Sequence, residues 1–281
     1  MRGRVGPVLA CAVTYTLLVA CGGSDPSMFQ QKSIKVGTKN NQPGTSEEDA
    51  NHTWQGLDVL LAYQLTKKLG STPYFSDVAS EQRESALVNN ADDLVIATYS
   101  ITQPRTAQVD FAGPYAVTLQ GFMIRAGETW LTKLDDLKGR TVCSWGGTTS
   151  FGELSTAAKI KGFILVEKED AEGCRQELVA QPPRVDAVST DQLLLYGLTE
   201  GYPGLAVVPD VTIGSKNYYG IGIRKGRRGD CRKIRDFLRS YVTSSDWTRD
   251  FQTTLSAISR PGDFRPDPAD IDRMSCVDQI K

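Results

Sequence analysis

The chain has 281 residues, with 32 lysine and arginine side chains against 33 aspartate and glutamate side chains, a formal net charge of −1. This balance excludes the basic excess that is typical of nucleic-acid-binding proteins. The length allows one large domain or two modest ones, and a single histidine without a CxxC motif argues against a zinc site.

The amino terminus has the features of an exported protein. Two arginines precede a mostly apolar stretch over residues 5–20, which is too short and too broken for a membrane span. The following Leu18-Val19-Ala20-Cys21 resembles the bacterial lipobox, although an ordinary signal peptide with a chance cysteine would look similar. We predict a signal peptide at residues 1–20, lipidation of Cys21 and a flexible tether over residues 21–32.

In the first half of the chain, short apolar runs alternate with helical patterns. Residues 33–39 predict a first strand, and a leucine stripe predicts a helix that opens at Gly56-Leu57-Asp58 and ends at Gly70. A second strand begins at Tyr74, and a short helix over residues 80–89 carries Arg83. Phe111 to Tyr115 is expected to form a turn before a strand over residues 121–125.

Residues 93–105 combine a buried strand with a polar end. Leu94 to Ala97 predict a strand of a parallel sheet, and three hydroxyl side chains follow it, those of Thr98, Ser100 and Thr102. Thr102 is placed to cap a helix whose first turn contains Pro104 and Arg105. Helix N–H groups and an arginine favour a carboxylate; a loop with a surface arginine is an equally good interpretation.

A second series of alternating elements occupies residues 134–208, followed by a further strand and two helices. This pattern predicts an α/β protein with two sheets and a ligand cleft between them. The expected strands are residues 140–143, 163–166, 185–188, 205–208 and 218–224, and the expected helices are residues 149–160, 172–179, 192–198, 231–242 and 246–258.

Four cysteines lie beyond the predicted signal and lipidation site, namely Cys143, Cys174, Cys231 and Cys276. An even number in an exported protein predicts two disulfides. Four cysteines allow three pairings, and the residues alone leave the choice among them open.

Several short motifs, in order, resemble the extracellular amino-acid-binding proteins of ABC transporters, solute-binding protein family 3. None of the motifs is specific alone, but their order and spacing over residues 34–258 behind a lipobox are. The lipobox and residues 39–44 resemble glutamate/glutamine-binding lipoproteins of actinobacteria. The motifs are Gly56-Leu57-Asp58-Val59, residues 93–105, Asp110-Phe111, Pro114-Tyr115, residues 135–139, Gly147-Thr148, Val185-Asp186-Ala187 with Asp191, and Tyr219-Gly220-Ile221.

The resemblance implies a two-lobed periplasmic-binding-protein (type II) fold that closes on a ligand. Lobe 1 would comprise residues 33–124 and 217–281, including the C-terminal tail, and lobe 2 residues 125–216. With this division, the pairs Cys143–Cys174 and Cys231–Cys276 each fall within one lobe, so these are the disulfides that we expect.

The resemblance also implies which residues hold the ligand. Thr98, Ser100 and Arg105 match the family positions that bind the α-carboxylate, and Thr148 and Thr149 match a Gly-Thr turn contributed by lobe 2. Asp191 matches the acid that binds the α-ammonium, although an N-cap is the alternative. Asp186 matches a position that is more often structural. Trp145 is expected to be either a wall of the pocket or core.

The side-chain pocket is expected to suit an acidic ligand. Lys39 is the last residue of the first predicted strand, where relatives that resemble glutamine binders carry an acid. A lysine suits a ligand carboxylate better than an amide. Ser80 and Arg83 match positions of further side-chain contacts in glutamate/aspartate-binding relatives. The alternative is that Lys39 and Arg83 are solvated surface charges.

The function expected from these features is capture of glutamate or aspartate by a lipid-anchored protein at the extracellular face of the cytoplasmic membrane. Its partners would be ABC permease subunits. Glutamine or asparagine binding, and a sensor lipoprotein that signals to a membrane partner, are alternatives. No cofactor or metal is expected. An enzyme is disfavoured because no general acid–base set can be assembled around the lone His52.

Overall fold

The computed structural model describes residue 3 and residues 26–280. Cys21 and, apart from residue 3, the expected signal peptide lie outside the described residues, so lipidation and cleavage stay predictions. Within residues 26–280, no helix is long and apolar enough to cross a membrane.

Strands and helices alternate along the described chain. The strands are β1 (Ser33–Thr38), β2 (Asn41–Gln42), β3 (Ser46–Glu48), β4 (Trp54–Gln55), β5 (Thr72–Asp77), β6 (Leu94–Val95), β7 (Val109–Arg125), β8 (Thr141–Trp145), β9 (Ile164–Lys168), β10 (Ala187–Asp191) and β11 (Leu205–Arg224). The α-helices are α1 (Leu57–Leu69), α2 (Arg83–Val88), α3 (Gln103–Thr106), α4 (Thr149–Lys161), α5 (Ala171–Val179), α6 (Gln192–Thr199), α7 (Arg228–Thr243), α8 (Ser245–Thr254) and α9 (Pro268–Met274). Short 3₁₀ turns cover Met28–Gln30, Ser80–Gln82, Leu134–Leu137 and Pro261–Phe264.

Eight strands form one sheet in the order β5-β1-β6-β11-β7-β10-β8-β9. Parallel pairs lie at both ends, where β1 pairs with β5 and β6, and β8 pairs with β9 and β10. The long antiparallel strands β7 and β11 run through the middle and join the two ends. The expectation of two separate sheets is therefore corrected: two lobes share one sheet through these strands.

Each lobe has its own hydrophobic core. In the first lobe, α1, α7 and α8 pack buried side chains such as Leu61, Leu238 and Trp247 against the sheet. In the second lobe, α5 and α6 contribute Leu178 and Leu195 to a separate cluster. The cleft lies between these two packed bodies. The residue limits assigned to each lobe stay a proposal.

The predicted helices agree with the structure more closely than the predicted strands. Helix α1 ends at Gly70, which adopts the left-handed conformation that glycine favours at helix ends. The turn expected over residues 111–115 is wrong, because those residues lie inside β7. The strands expected over residues 205–208 and 218–224 are parts of β11.

The described part of the expected tether is packed. Met28 and Phe29 are buried in the core of the first lobe, and the Ser27 hydroxyl donates to Asp230 Oδ1 at 2.5 Å. The sequence predicts a flexible tether over residues 21–32. Its two apolar side chains instead anchor the chain immediately before β1.

Both expected disulfides are present, Cys143–Cys174 and Cys231–Cys276. The first joins β8 to α5 in the second lobe. The second joins the start of α7 to the segment after α9, so the C-terminal tail is fixed to the first lobe. Neither bond connects the two lobes, so neither would oppose their opening.

Candidate functional site

A small cavity of about 10 Å³ lies between the lobes, close to the space needed for one water molecule. It lies at the end of β6, where α2 and α3 of the first lobe face the N-termini of α4 and α6. The lobes are therefore in a closed arrangement. The lining residues are Gln42, Ser80, Arg83, Thr98, Ser100, Arg105, Trp145, Thr148, Thr149, Ser150, Thr190, Asp191 and Leu194.

These lining residues include every expected ligand contact except Lys39. Four further lining residues were not expected from the sequence, namely Gln42, Ser150, Thr190 and Leu194. That the lining residues bind a ligand is a proposal, but the fold does bring them together from both lobes.

Thr98 is held in an unusual backbone conformation. Its φ of 45° lies in the left-handed region, which is uncommon for a residue with a branched Cβ. The Thr98 N–H donates to Asp58 Oδ2 at 2.8 Å, and its hydroxyl donates to Gln42 Oε1 at 3.2 Å. Asp58 therefore stabilises the turn that directs Thr98 toward the cavity, a role that the sequence did not reveal.

The helix after this turn differs from the expectation. Helix α3 has only four residues, and Thr102 occupies its N-cap position without a side-chain hydrogen bond. The expected capping by Thr102 is wrong. A single turn also carries little of the dipole that a longer helix would offer to an anion, so the positive charge of this loop comes mainly from Arg105.

Arg105 lies across the opening between the lobes. Its Nη1 donates to Ser100 O at 2.9 Å, and its Nη2 donates to Gly147 O of the second lobe at 2.8 Å. Its Nε also pairs with Glu84 Oε1 at 3.1 Å. The guanidinium is therefore partly neutralised on its outer side and can offer its terminal nitrogens to an acceptor in the cleft.

Arg83 is more deeply buried than Arg105, with 3% of its surface exposed. Its Nε, Nη1 and Nη2 each donate to one carbonyl oxygen, those of Ser80, Ala97 and Gly147, at 2.9–3.0 Å. Within residues 26–280, no carboxylate lies within ion-pair distance of it. A buried guanidinium without an anionic partner is costly, so this position is suited to an incoming carboxylate.

On the second lobe, the two threonines have different roles. Thr148 caps α4, because its hydroxyl accepts from the Phe151 N–H at 3.1 Å and donates to Trp145 O at 2.8 Å. Its hydroxyl is therefore already used in the helix start. The Thr149 hydroxyl lies 3.4 Å from the Ser100 hydroxyl across the cleft, where a ligand oxygen could contact both.

Asp191 presents a carboxylate to the cavity. It occupies the N-cap position of α6, yet its side chain makes no cap hydrogen bond, so the alternative of a simple helix cap does not hold. Its oxygens accept from Asn217 Nδ2 and the Tyr219 hydroxyl, each at 2.6 Å. Burial raises the pKa of Asp191, and the hydrogen bonds from Tyr219 and Asn217 oppose that rise.

Lys39 lies in an adjoining cavity of about 90 Å³ instead of the central one. It is buried, and its Nζ donates to Val78 O at 2.6 Å. Burial, followed by repulsion from Arg83, lowers the pKa of Lys39 to about 7, while Asp77 and Asp170 oppose this change. The alternative of a solvated surface charge is wrong for both Lys39 and Arg83.

Trp145 combines the two roles that the sequence left open. Its side chain is 1% exposed and packs in the core of the second lobe. It also lines both the central cavity and the cavity that contains Lys39. Asp186, by contrast, accepts from the Thr141 N–H and from Arg140, and it is not among the residues that line the central cavity.

We expect the buried Asp58 to make stability depend on pH. Burial, opposed by hydrogen bonds from Tyr115 and Thr98, raises its pKa from 3.8 to about 6. Between pH 3.8 and about 6 the folded protein holds more protons than the unfolded chain, so the free energy of unfolding falls as pH rises. Urea denaturation should show wild type losing roughly 1 kcal/mol per pH unit relative to Asp58→Asn. A pH-independent difference between the two proteins would contradict this expectation.

Within the described residues, no group of three or more histidine, cysteine, aspartate or glutamate side chains is arranged to hold a metal ion. The chemistry available in the cleft is that of two guanidinium groups, several hydroxyls and one carboxylate. These groups can bind an ionic ligand by charge and hydrogen bonds.

Known proteins are similar to this chain in sequence and in architecture. The glutamate-binding protein GluB of Corynebacterium glutamicum is 30% identical over 79% of this chain and 80% of its own length. A glutamine-binding protein of Geobacillus stearothermophilus is 28% identical, over 64% of this chain and 68% of its own length.

A solved structure of an amino-acid-binding protein is also similar to this chain. An ancestral arginine-binding protein bound to arginine superposes with a TM-score of 0.72 and is 29% identical, covering 80% of this chain and 99% of its own. The model of the bacterial extracellular solute-binding proteins, family 3, matches residues 34–262. The two lobes, the cleft and these matches together place the chain in that family of extracellular solute-binding proteins.

Proposed function

We propose that this protein binds an acidic amino acid, glutamate or aspartate, and delivers it to an ABC importer. The observation that carries the proposal is Arg83, a buried guanidinium in the cleft with carbonyl oxygens as its only described hydrogen-bond acceptors. Burial, followed by repulsion from Arg105, lowers its pKa to about 10. A ligand carboxylate would supply the ion-pair partner that Arg83 does not have among the described residues.

The charges that line the central cavity complement an acidic amino acid. Arg83 and Arg105 provide two positive charges, and Asp191 provides one negative charge. Glutamate and aspartate carry two carboxylates and one ammonium, which is the opposite set. Glu84 offsets part of the charge of Arg105 from outside the cavity, so Arg83 is the cation expected to distinguish glutamate from glutamine.

Each ionic group of such a ligand has an assigned partner. The α-carboxylate would take Arg105 together with the hydroxyls of Thr98, Ser100 and Thr149, and the Thr148 turn would close over it. Asp191 would accept from the α-ammonium. The side-chain carboxylate would take Arg83 and Ser80, with Lys39 behind them in the adjoining cavity. Ligand entry requires the lobes to open, because a cavity of about 10 Å³ holds about one water molecule and not an amino acid.

The relatives support this assignment by what they bind. The two Corynebacterium proteins that match over most of the chain are glutamate-binding proteins, whereas other relatives bind glutamine or arginine. We further propose that Cys21 carries a lipid anchor that holds the protein at the outer face of the cytoplasmic membrane, beside the permease.

Glutamate should bind at least about tenfold more tightly than glutamine, because glutamine would leave Arg83 without an anionic partner, and an unpaired buried group costs about 1–3 kcal/mol. Isothermal titration calorimetry against the twenty amino acids at neutral pH measures this preference. Glutamine, which differs from glutamate only in the side-chain amide, is the matched control ligand. Equal affinities would contradict the acidic preference while leaving the family assignment intact.

A further inference from the structure

Helix α6 does not use Asp191 as its cap. The N–H of Leu193 in the first turn instead faces the Thr118 hydroxyl on β7, at 3.4 Å. An aspartate at the N-cap position normally accepts such a bond itself. Because a hydroxyl on β7 accepts from the first turn of α6, the carboxylate of Asp191 is free of the capping role and can accept other hydrogen bonds.

Strand β11 holds that carboxylate at both oxygens. Asn217 Nδ2 donates to Oδ1, and the Tyr219 hydroxyl donates to Oδ2, each at 2.6 Å. Asp191 is 4% exposed and Tyr219 1% exposed, so the bond between them is sheltered from water. Two donors from one strand fix the orientation of the carboxylate and leave its other lone pairs for the cavity.

Tyr219 also contacts the loop after β6 through its backbone. It forms an antiparallel bridge with Ser100. On either side of this bridge, the Ile101 N–H donates to Tyr218 O at 2.8 Å and the Gly220 N–H donates to Tyr99 O at 2.9 Å. The loop that presents Thr98 and Ser100 is therefore tied to the same residue that holds Asp191.

We propose that Tyr219 is a positioning residue for the α-amino-acid group of the ligand. Its backbone fixes the carboxylate-binding loop, and its hydroxyl aims Asp191 at the α-ammonium, so the two halves of the site keep a set separation. This inference rests on the proposed function, because the orientation of Asp191 matters only for a ligand that carries an ammonium. Binding groups require such support to within a fraction of an ångström.

Tyr219→Phe tests the role of the hydroxyl, since it keeps the ring and the backbone bridge. Glutamate affinity should fall roughly ten- to hundredfold, as expected for losing a hydrogen bond to a charged group. Glutarate has both carboxylates but no ammonium, so its affinity should change by less than about threefold. Competition against radiolabelled glutamate measures both ligands, and circular dichroism on heating checks that the variant is folded.

Tyr241→Phe is the matched control. Tyr241 is also buried and donates to an aspartate, Asp250 Oδ2 at 3.1 Å, but between α7 and α8. Its loss should leave both affinities unchanged. Asn217→Ala removes the other donor to Asp191 and should weaken glutamate selectively, so it tests the same inference if Tyr219→Phe does not fold.

Two kinds of result would overturn the positioning role. Equal losses for glutamate and glutarate would mean that Tyr219 has only a structural role, and no loss for either would mean that its hydroxyl is dispensable. Wild type that binds glutarate as tightly as glutamate would instead overturn the proposed ammonium contact of Asp191, and this inference with it. The wild-type and variant measurements therefore separate the two failures.

Discussion

Replacing Arg83 with alanine should weaken glutamate binding by about two to four decades, because losing one partner of a buried ion pair costs roughly 3–5 kcal/mol. The buried guanidinium has carbonyl acceptors only, so we expect the ligand to provide its charge partner. Calorimetry with glutamate measures the loss. The same variant should bind glutamine with a much smaller loss, which would remove the preference for the acidic ligand.

A suitable control is Arg140→Ala. Arg140 is 43% exposed at its side chain and pairs with Asp186 outside the cleft, so glutamate affinity should not change. Binding of glutamate to Arg83→Ala within a few-fold of wild type would show that the ligand does not reach this guanidinium. Equal losses for glutamate and glutamine would move Arg83 from the side-chain carboxylate to the α-carboxylate.

The local elements could be predicted from the sequence because their signals are local. The leucine stripe and Gly70 define α1, and an apolar run defines the strand before Thr98. The continuity of β11 could not be predicted in this way. Its residues 209–217 include Pro209 and Gly214 and show no regular alternation of buried and exposed positions. They remain in the strand through irregular pairing with distant β7, to which Ile213 and Asn217 contribute.

For the site too, local features could be predicted from the sequence and long-range contacts could not. Eight of the expected residues line the central cavity, because strand ends and helix starts of an α/β fold meet at its cleft. The sequence could not show that the Lys39 ammonium donates to Val78 O, or that the Thr148 hydroxyl caps α4. Those outcomes depend on which hydrogen-bond partners the folded chain brings within reach.

We expect closure of the lobes to depend on Gly147, which precedes α4. Gly147 has a φ of +68°, and its carbonyl oxygen accepts from both Arg83 and Arg105 across the cleft. A Cβ at this position would lie 2.6 Å from the Glu81 nitrogen and 2.7 Å from the Ser80 carbonyl carbon. Both are backbone atoms of the first lobe, so they cannot move aside as a flexible side chain could.

Gly147→Ala should therefore weaken the closed state more than the open state, since the clash exists only when the lobes meet. Overpacking typically costs 1–3 kcal/mol, so we expect glutamate affinity to fall by about five- to 150-fold, mainly through faster dissociation. Stopped-flow measurement of ligand release detects this change.

Gly139→Ala is the matched control: Gly139 has a similar φ of +73°, but no atom lies within 4 Å of its added Cβ. It carries the same backbone strain without the clash, so its ligand release should match wild type. If both variants release glutamate equally fast, the effect is backbone strain in the second lobe and Gly147 does not govern closure.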